Sequence, residues 1–399
     1  MLRWLVLDLN SFFASCEQQE HPELRGKPVI VVPTMAETTC AIAASYPAKA
    51  FGIKTGTLVH EARRLCPDVR LVPAHHKLYV EYHHRILEAI DKHIPVEDVM
   101  SIDEVACRLD RVQQAPAVAH KLAHNIKREI QSQVGECLTS SIGISANKLL
   151  AKMASNMQKP DGLVILPIET LPGAILHLKL RDIPGIGPKM AEHLQRSGIT
   201  DIATLWNTDG ARLRLIWGGV AGAKMHELLH GADIASLKTA RSSMSHQHVL
   251  APEDRSIEGA APIMRQLLAR VAQRLRDDGF YCRRLIVDVK WLGRDRGSWT
   301  DKRSFSETQD TGMLLHVLQD IWEQVPDLKP LRVGVALTGL AAKESHQADL
   351  FEQPRNAKLV EAIDAVNEKF GKGALVYGDA APDQTSKIAF QRVPKVKEF

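Results

Sequence analysis

The chain has no CxxC pair and no cysteine spacing of the kind that holds zinc. Its six cysteines, Cys16, Cys40, Cys66, Cys107, Cys137 and Cys282, are scattered along the length. That excludes a disulfide-stapled scaffold and a zinc-finger class, and it reads as reduced thiols in a cytoplasmic protein. No stretch reaches the ~18 uninterrupted apolar residues of a membrane-crossing helix. The opening MLRWLVLDLNSFF is a short apolar run broken by Asp8, without a signal-peptide cleavage pattern. Internal repeats and long low-complexity tracts are missing, which excludes solenoids and linker-like chains. Charge of one sign is barely in excess, at a formal net +4. Any affinity for nucleic acid must therefore come from local clusters of basic residues, not from bulk charge.

What is present is ordinary globular material: 399 residues, 45% apolar and 25% charged, room for roughly two to four domains. Residues 2–9 form a tight apolar run that predicts a buried strand with Asp8 near its end. Further strands are expected at 27–33 and 39–44, a helix over 76–93, and two short strands around a tight turn within 97–110, with Asp103 and Glu104 at the turn. A helix over 115–133, a strand over 137–145 and a helix from Asn147 to about Gln158, stopped at Lys159-Pro160, complete an α/β or α+β region. Residues 170–235 carry only helical patterns. The polar stretch 236–247 reads as a linker. Residues 248–340 alternate helix and strand as a separate α+β domain, and 342–399 form a polar, mixed tail with a helical stretch LVEAIDAVNEKF.

Three carboxylates, Asp8, Asp103 and Glu104, fall at strand ends. Brought to one sheet edge they repel one another unless a cation joins them. Hard divalent cations prefer such oxygen ligands, and a pair of them suits in-line phosphoryl transfer. Spacing alone is weak support, since an Asp-Glu pair on a turn is more often a solvated corner.

The surrounding text is more specific. DLNSFFASCEQ, ASYPAKAFGIKTG, SIDE and SSIGISANKLLAKMASNMQKPDG follow in that order. The series resembles the Y-family DNA polymerases, the translesion group, over residues 1–340. The resemblance implies a multidomain α/β and α+β right hand. Its palm would be 1–10 and 74–165, its fingers 11–73, a small helical thumb 166–235, a linker 236–247, an α+β little finger 248–341 and a tail 342–399. It implies two Mg²⁺ ions on Asp8, Asp103 and Glu104 with the Leu9 carbonyl, and a proofreading-free enzyme that extends primer-template DNA from deoxynucleoside triphosphates. Phe12 and Phe13 would floor the sugar site, with Phe13 as the ring that clashes with a 2′-hydroxyl. Tyr46, Lys49 and Lys159 match the triphosphate contacts. Lys49 departs from the family's usual Arg and loses bidentate geometry; Asn10 stands where many members have a second Asp. Small residues Ala41, Ala43 and Ala44 predict a roomy pocket over the base pair.

In IPGIGPK, Gly185 and Gly187 permit a hairpin between helices whose N–H groups face a DNA phosphate, with Lys189 adding charge. This resembles the helix-hairpin-helix element. Arg283, Arg284, Lys290 and Arg294 lie on predicted strands that would share a basic face. Gln347, Leu350 and Phe351 resemble the QxxLF peptide that docks on the bacterial sliding clamp. His75, His76, His83 and His84 read as exposed polar residues and not as a metal site. The expected protein is a cytoplasmic monomer without membrane contact. Its rival is a non-catalytic clamp-binding adaptor of the same family, against which stand the three retained carboxylates, Tyr46 and Lys159.

Overall fold

A computed structural model of the chain describes residues 1–235, 241–293, 297–346, 357–370 and 374–377. Among these, one unit holds residues 1–32 and 40–235, and a second holds 33–39 and the residues from 241 onward.

The first unit opens with β1 (Trp4–Leu9), α1 (Phe12–Glu20), β2 (Val29–Val32), β3 (Ala43–Ala44), α2 (Tyr46–Ala50), α3 (Val59–Leu65) and β4 (Arg70–Pro73). It continues through α4 (His76–Asp91), β5 (Val96–Val99), β6 (Glu104–Arg108), α5 (Pro116–Glu129), β7 (Ser140–Ser145), α6 (Lys148–Met157) and β8 (Leu163–Leu166). The main sheet has the order β5-β6-β1-β7-β8. WLVLDL is apolar on both sides because β1 is the central strand, antiparallel to β6 and β7, with helices against the sheet. Leu5, Leu7, Tyr79, Ile86, Ile126 and Ile142 fill its core. A smaller sheet, β3-β2-β4, carries α2 and α3 over a separate core of Ile30, Val32, Ile53 and Val59. The strand expected over 39–44 is thus only the two residues of β3.

Four helices follow: α7 (Pro188–Arg196), α8 (Ile202–Asn207), α9 (Gly210–Trp217) and α10 (Val220–Leu229). Asp201 and Asp209 cap α8 and α9 by accepting from Thr204 and Arg212 N–H groups. Polar contacts tie this bundle to the main sheet. Asn147 Nδ2 donates to the carbonyls of Leu228 and Ala232 at 2.7 and 2.9 Å, and Trp4 Nε1 donates to Asp233 Oδ1 at 2.8 Å.

The second unit contains β9 (Ser243–Val249), α11 (Ile257–Asp277), β10 (Phe280–Trp291), β11 (Ser298–Thr308), α12 (Thr311–Trp322), β12 (Pro330–Thr338), β13 (Ala341–Ala342) and α13 (Ala357–Phe370). Its sheet runs β11-β10-β12-β9, with the two helices α11 and α12 over a core of Leu267, Val271, Leu285, Val287, Leu318 and Val335. The 236–247 linker reading needs correction: from Ser243 the chain is β9, paired with β12. Met244, His246 and His248 turn inward at 1%, 8% and 6% exposure; two of the three inward positions are histidines, which hid the strand's period. In the tail, α13 docks on α11, where Arg276 grips Asp364 with two bonds of 2.6 and 2.8 Å. Among the described residues no helix is long and apolar enough to cross a membrane.

Strand β7 and helix α6 meet backbone to backbone. A Cβ on Gly143 would stand 2.0 Å from the Ala151 carbonyl oxygen and 2.2 Å from Ser155 N. Since neither atom belongs to a flexible side chain, Gly143→Ala is expected to destabilise the first unit by roughly 3 kcal/mol. Thermal denaturation checks this; an unchanged Tm would mean that α6 can lift off the sheet at no cost.

Candidate active site

Asp8 and Glu104 are direct partners across the β1–β6 ladder. Side chains so paired stand roughly 5 Å apart at Cβ, where like charges repel by roughly 3 kcal/mol at an effective dielectric of 20. A lysine from α6 answers that repulsion. Lys152 Nζ donates to Asp8 Oδ2 and lies 3.0 Å from Glu104 Oε1. On the other side, Lys159 Nζ donates to Asp8 Oδ1 at 2.5 Å. These groups are largely buried: the side chains of Asp8, Glu104 and Lys152 are 13%, 17% and 15% exposed. Burial pushes the Glu104 carboxyl up, against the pull of Lys152, with Asp8 and Asp103 adding to the rise. On Lys152 burial works against the charge, but Asp8 and Glu104 together lift its affinity for the proton above the usual lysine range.

Asp103 belongs to the same corner. Its carbonyl accepts from Leu9 N–H at 2.8 Å, while its carboxylate accepts from Ser101 Oγ at 2.5 Å. Among the described residues no three His, Cys, Asp or Glu side chains stand grouped as a finished metal site. The chemistry of the donor set nonetheless fits a hard divalent cation. It consists of carboxylate oxygens brought to one corner, and the Asp8–Glu104 pair already takes up a cation, the Lys152 ammonium.

Around this corner the sequence-predicted nucleotide residues gather. Ser11 turns the chain from β1 into α1 in a left-handed conformation, φ 50° and ψ 41°. Its hydroxyl accepts from Lys49 Nζ at 2.7 Å, and Lys49 in turn lies 4.4 Å from the centre of the Tyr46 ring. Burial and the neighbouring Lys159 hold Lys49 below the usual lysine range, with Asp8 opposing them. Burial and Asp8 raise Tyr46. Phe12 is 2% exposed and sits in the core, while Phe13 is partly exposed. Ala41, Ala43 and Ala44 do not line an open pocket: at 1%, 8% and 1% exposure they are packed into the cores.

Several residues at the site were missed in the sequence. Lys152 was one lysine among many, though flanked by small buried residues, Ala151 and Ala154. Asn10 is no idle replacement. Buried at 2%, its Nδ2 donates to Ser141 Oγ at 3.0 Å and its Oδ1 accepts from Asp161 N at 2.8 Å. An amide both donates and accepts there, fixing the loop that carries Lys159. The histidines also differ from expectation. His76 and His83 are 7% and 2% exposed, and His83 Nδ1 donates to the Ile102 carbonyl at 2.7 Å, bracing the turn that bears Asp103.

Other expected contacts divide. Gly185 has φ +93°, as a tight turn requires, whereas Gly187 is the extended N-cap of α7. The arm upstream is a single 3₁₀ turn, Leu180–Asp182, and not a full helix. Gly185, Gly187 and Lys189 are all exposed. In the second unit Arg284, Lys290 and Lys302 share the open sheet face with Arg332, which pairs with Asp288 at 2.9 Å. A register shift between Cys282 and Arg284 turns Arg283 outward as well, where it is held by Glu307 at 2.5 Å. Arg294, Gln347, Leu350 and Phe351 lie outside the described residues.

The impB/mucB/samB family model matches residues 7–156, and the model of that family's C-terminal domain matches 241–350. DNA polymerase IV of Moorella thermoacetica is 36% identical over 387 residues, 93% of this chain and 94% of that protein. The chain belongs to the Y-family DNA polymerases. Within the family, DNA polymerase IV of Pelotomaculum thermopropionicum is 32% identical over 385 residues, again 93% of this chain and 94% of that protein. A solved Y-family DNA polymerase chimera of Dbh and Dpo4 superposes with a TM-score of 0.71 at 24% identity, covering 86% of this chain and 100% of that one. The mixed sheets and helices described above are thus the right-hand polymerase fold of the family, whose members use divalent metal ions.

Burial lowers the His83 imidazole from 6.5 to about 4, against the pull of its bond to Ile102. Between those values the unfolded chain binds more protons than the folded one. Stability from this group is therefore full above pH 6.5 and falls toward pH 4, by roughly 3 kcal/mol. His83→Gln should flatten that slope in urea denaturation at a series of pH values. Parallel slopes for variant and wild type would remove His83 as the cause.

Proposed function

We infer that the protein is a template-directed DNA polymerase of low fidelity that adds deoxynucleotides to a primer 3′ end opposite damaged template. The reading rests on family membership together with one geometric observation: Asp8 and Glu104 face each other across two interior strands of the main sheet, with two lysine ammoniums on their oxygens. Asp8, Asp103 and Glu104, with the Leu9 carbonyl, would hold two Mg²⁺ ions. When bound, these supply an acidified 3′-hydroxyl and charge neutralisation on the leaving pyrophosphate.

The chain's own groups do the rest. Tyr46, Lys49 and Lys159 hold the triphosphate by one hydroxyl and two ammonium groups. Lys49 acts as a point charge, so it anchors the phosphates without the fixed fork of an arginine. Phe13 presents its partly exposed ring beneath the sugar and rejects a 2′-hydroxyl by contact, with Phe12 as the buried support. The N–H groups at Gly185 and Gly187, with Lys189, hold a backbone phosphate of the duplex. Arg283, Arg284, Lys290 and Arg294 extend that grip, which carries no sequence preference. Gln347, Leu350 and Phe351 tether the enzyme to the sliding clamp, raising the local concentration of a weak DNA binder. The enzyme works as a monomer in the cytoplasm and does not proofread. The domain limits follow the sequence reading, with the linker ending before Ser243.

Primer extension with Mg²⁺, on an undamaged template and on one with an abasic site, tests this. Wild type should extend both. Asp103→Ala should lose roughly 10³-fold or more in extension while binding primer-template DNA with little change. Full extension by Asp103→Ala would sink the metal assignment; inactive wild type with intact DNA binding would sink the polymerase reading.

A further inference from the structure

The geometry points to Glu17 as a positioning residue for sugar selection, acting through Tyr79 on Phe13; the inference rests on Phe13 being the ring that excludes the 2′-hydroxyl. A steric wall discriminates only as far as it refuses to yield. Phe13 is partly exposed, so its stiffness has to come from what stands behind it. The Tyr79 ring stacks on it at 4.3 Å between centroids and 13° between planes. His76 closes the edge at 6.3 Å in a T-shaped contact.

Stacking resists compression but permits sliding, since the attraction between offset rings varies little with lateral shift. The lower ring must therefore be pinned elsewhere. Tyr79 is, at its hydroxyl. It accepts from the His75 backbone N–H at 3.1 Å and donates to Glu17 Oε1 at 2.5 Å. The same Glu17 oxygen lies 2.9 Å from His75 Nδ1. Glu17 follows Phe13 by one turn of α1, so both side chains leave the same helix face and reach the same residue of α4. Helix α1 thus holds Tyr79 at two points, its ring face by Phe13 and its hydroxyl by Glu17.

Energetics argue that this carboxylate is not filler. The Glu17 side chain is 0% exposed, and its Oε2 is buried without a hydrogen-bond partner among the described residues. Burying such a group incompletely bonded is unfavourable, and an apolar side chain of similar size packs there at less cost. What an apolar residue does not supply is an acceptor for the Tyr79 hydroxyl. Burial and the bond to Glu17 push the Tyr79 hydroxyl far above the usual tyrosine range, so it remains a proton donor to Glu17 at any working pH.

The test is the ratio of kcat/KM for a deoxynucleotide to that for the matching ribonucleotide, measured on the full-length protein with undamaged primer-template. Glu17→Leu and Tyr79→Phe should each lower that ratio by about tenfold, mainly by better ribonucleotide use. Glu17→Gln keeps an acceptor and should restore most of it. Tyr79→Phe removes a single oxygen, so it carries the test if Glu17→Leu does not fold. A ratio unchanged in Tyr79→Phe, or a loss of kcat/KM equal for both sugars, would overturn the inference and leave Glu17 and Tyr79 as core residues. Phe13→Ala is the control: if it leaves the ratio unchanged, the gate assignment itself fails, independently of Glu17.

Discussion

The structure depends on crowding negative charge at the end of a strand that cannot move. Strand β1 is paired on both edges and buried on both faces, so Asp8 has no way to retreat from Glu104 opposite it. Repulsion fixed in place by a backbone ladder becomes an attraction for any cation of the right size, and the fold supplies Lys152 and Lys159 from a single helix and the loop that follows it. Everything that positions α6 therefore acts on the site. Gly143 lets the helix lie directly on β7. Asn147 caps α6 by accepting from Leu150 N–H and, with its Nδ2, holds the end of the α10 region. The helical bundle is joined to the same residue that starts the lysine-bearing helix.

A second theme is that polar groups do the aligning where apolar packing leaves freedom. Apolar contacts are non-directional; they bury Tyr79 or hold the turn before Asp103 without setting an angle. Hydrogen bonds from Tyr79 to Glu17, from His83 to the Ile102 carbonyl, and from Asn10 to Ser141 set those angles. Each is buried, and a buried polar group left unbonded is expensive.

Much of the layout was legible along the chain. The strand at 2–9, the two strands around the Asp103-Glu104 turn, the helices near 76–93, 115–133 and 147–158, and the alternation from 248 to 340 all carried clear periodicity, and the elements observed lie close to them. Failures had physical causes. Histidine at inward strand positions disguised β9. His83 looked like a solvated residue because a buried histidine needs one specific partner, and that partner, the Ile102 carbonyl, is remote in sequence; His76 is buried against the Phe13 and Tyr79 rings, a contact that only folding creates. Arg283 looked equivalent to Arg284, and an irregularity in the ladder leaves both exposed, but Arg283 is held by a carboxylate of its own, Glu307.

By itself the sequence determined the chemistry on offer: which carboxylates, rings and ammonium groups exist, on which kind of element, and in an order that resembles one family of polymerases. Periodicity carries that information because each residue's face is set by its near neighbours. Only the tertiary structure decided who meets whom. Asp8 and Lys152 are 144 residues apart, and Tyr79 and Glu17 are 62 apart. No local pattern encodes such pairs. They arise from register across the sheet and from the way α4 and α6 pack, and these are properties of the whole fold.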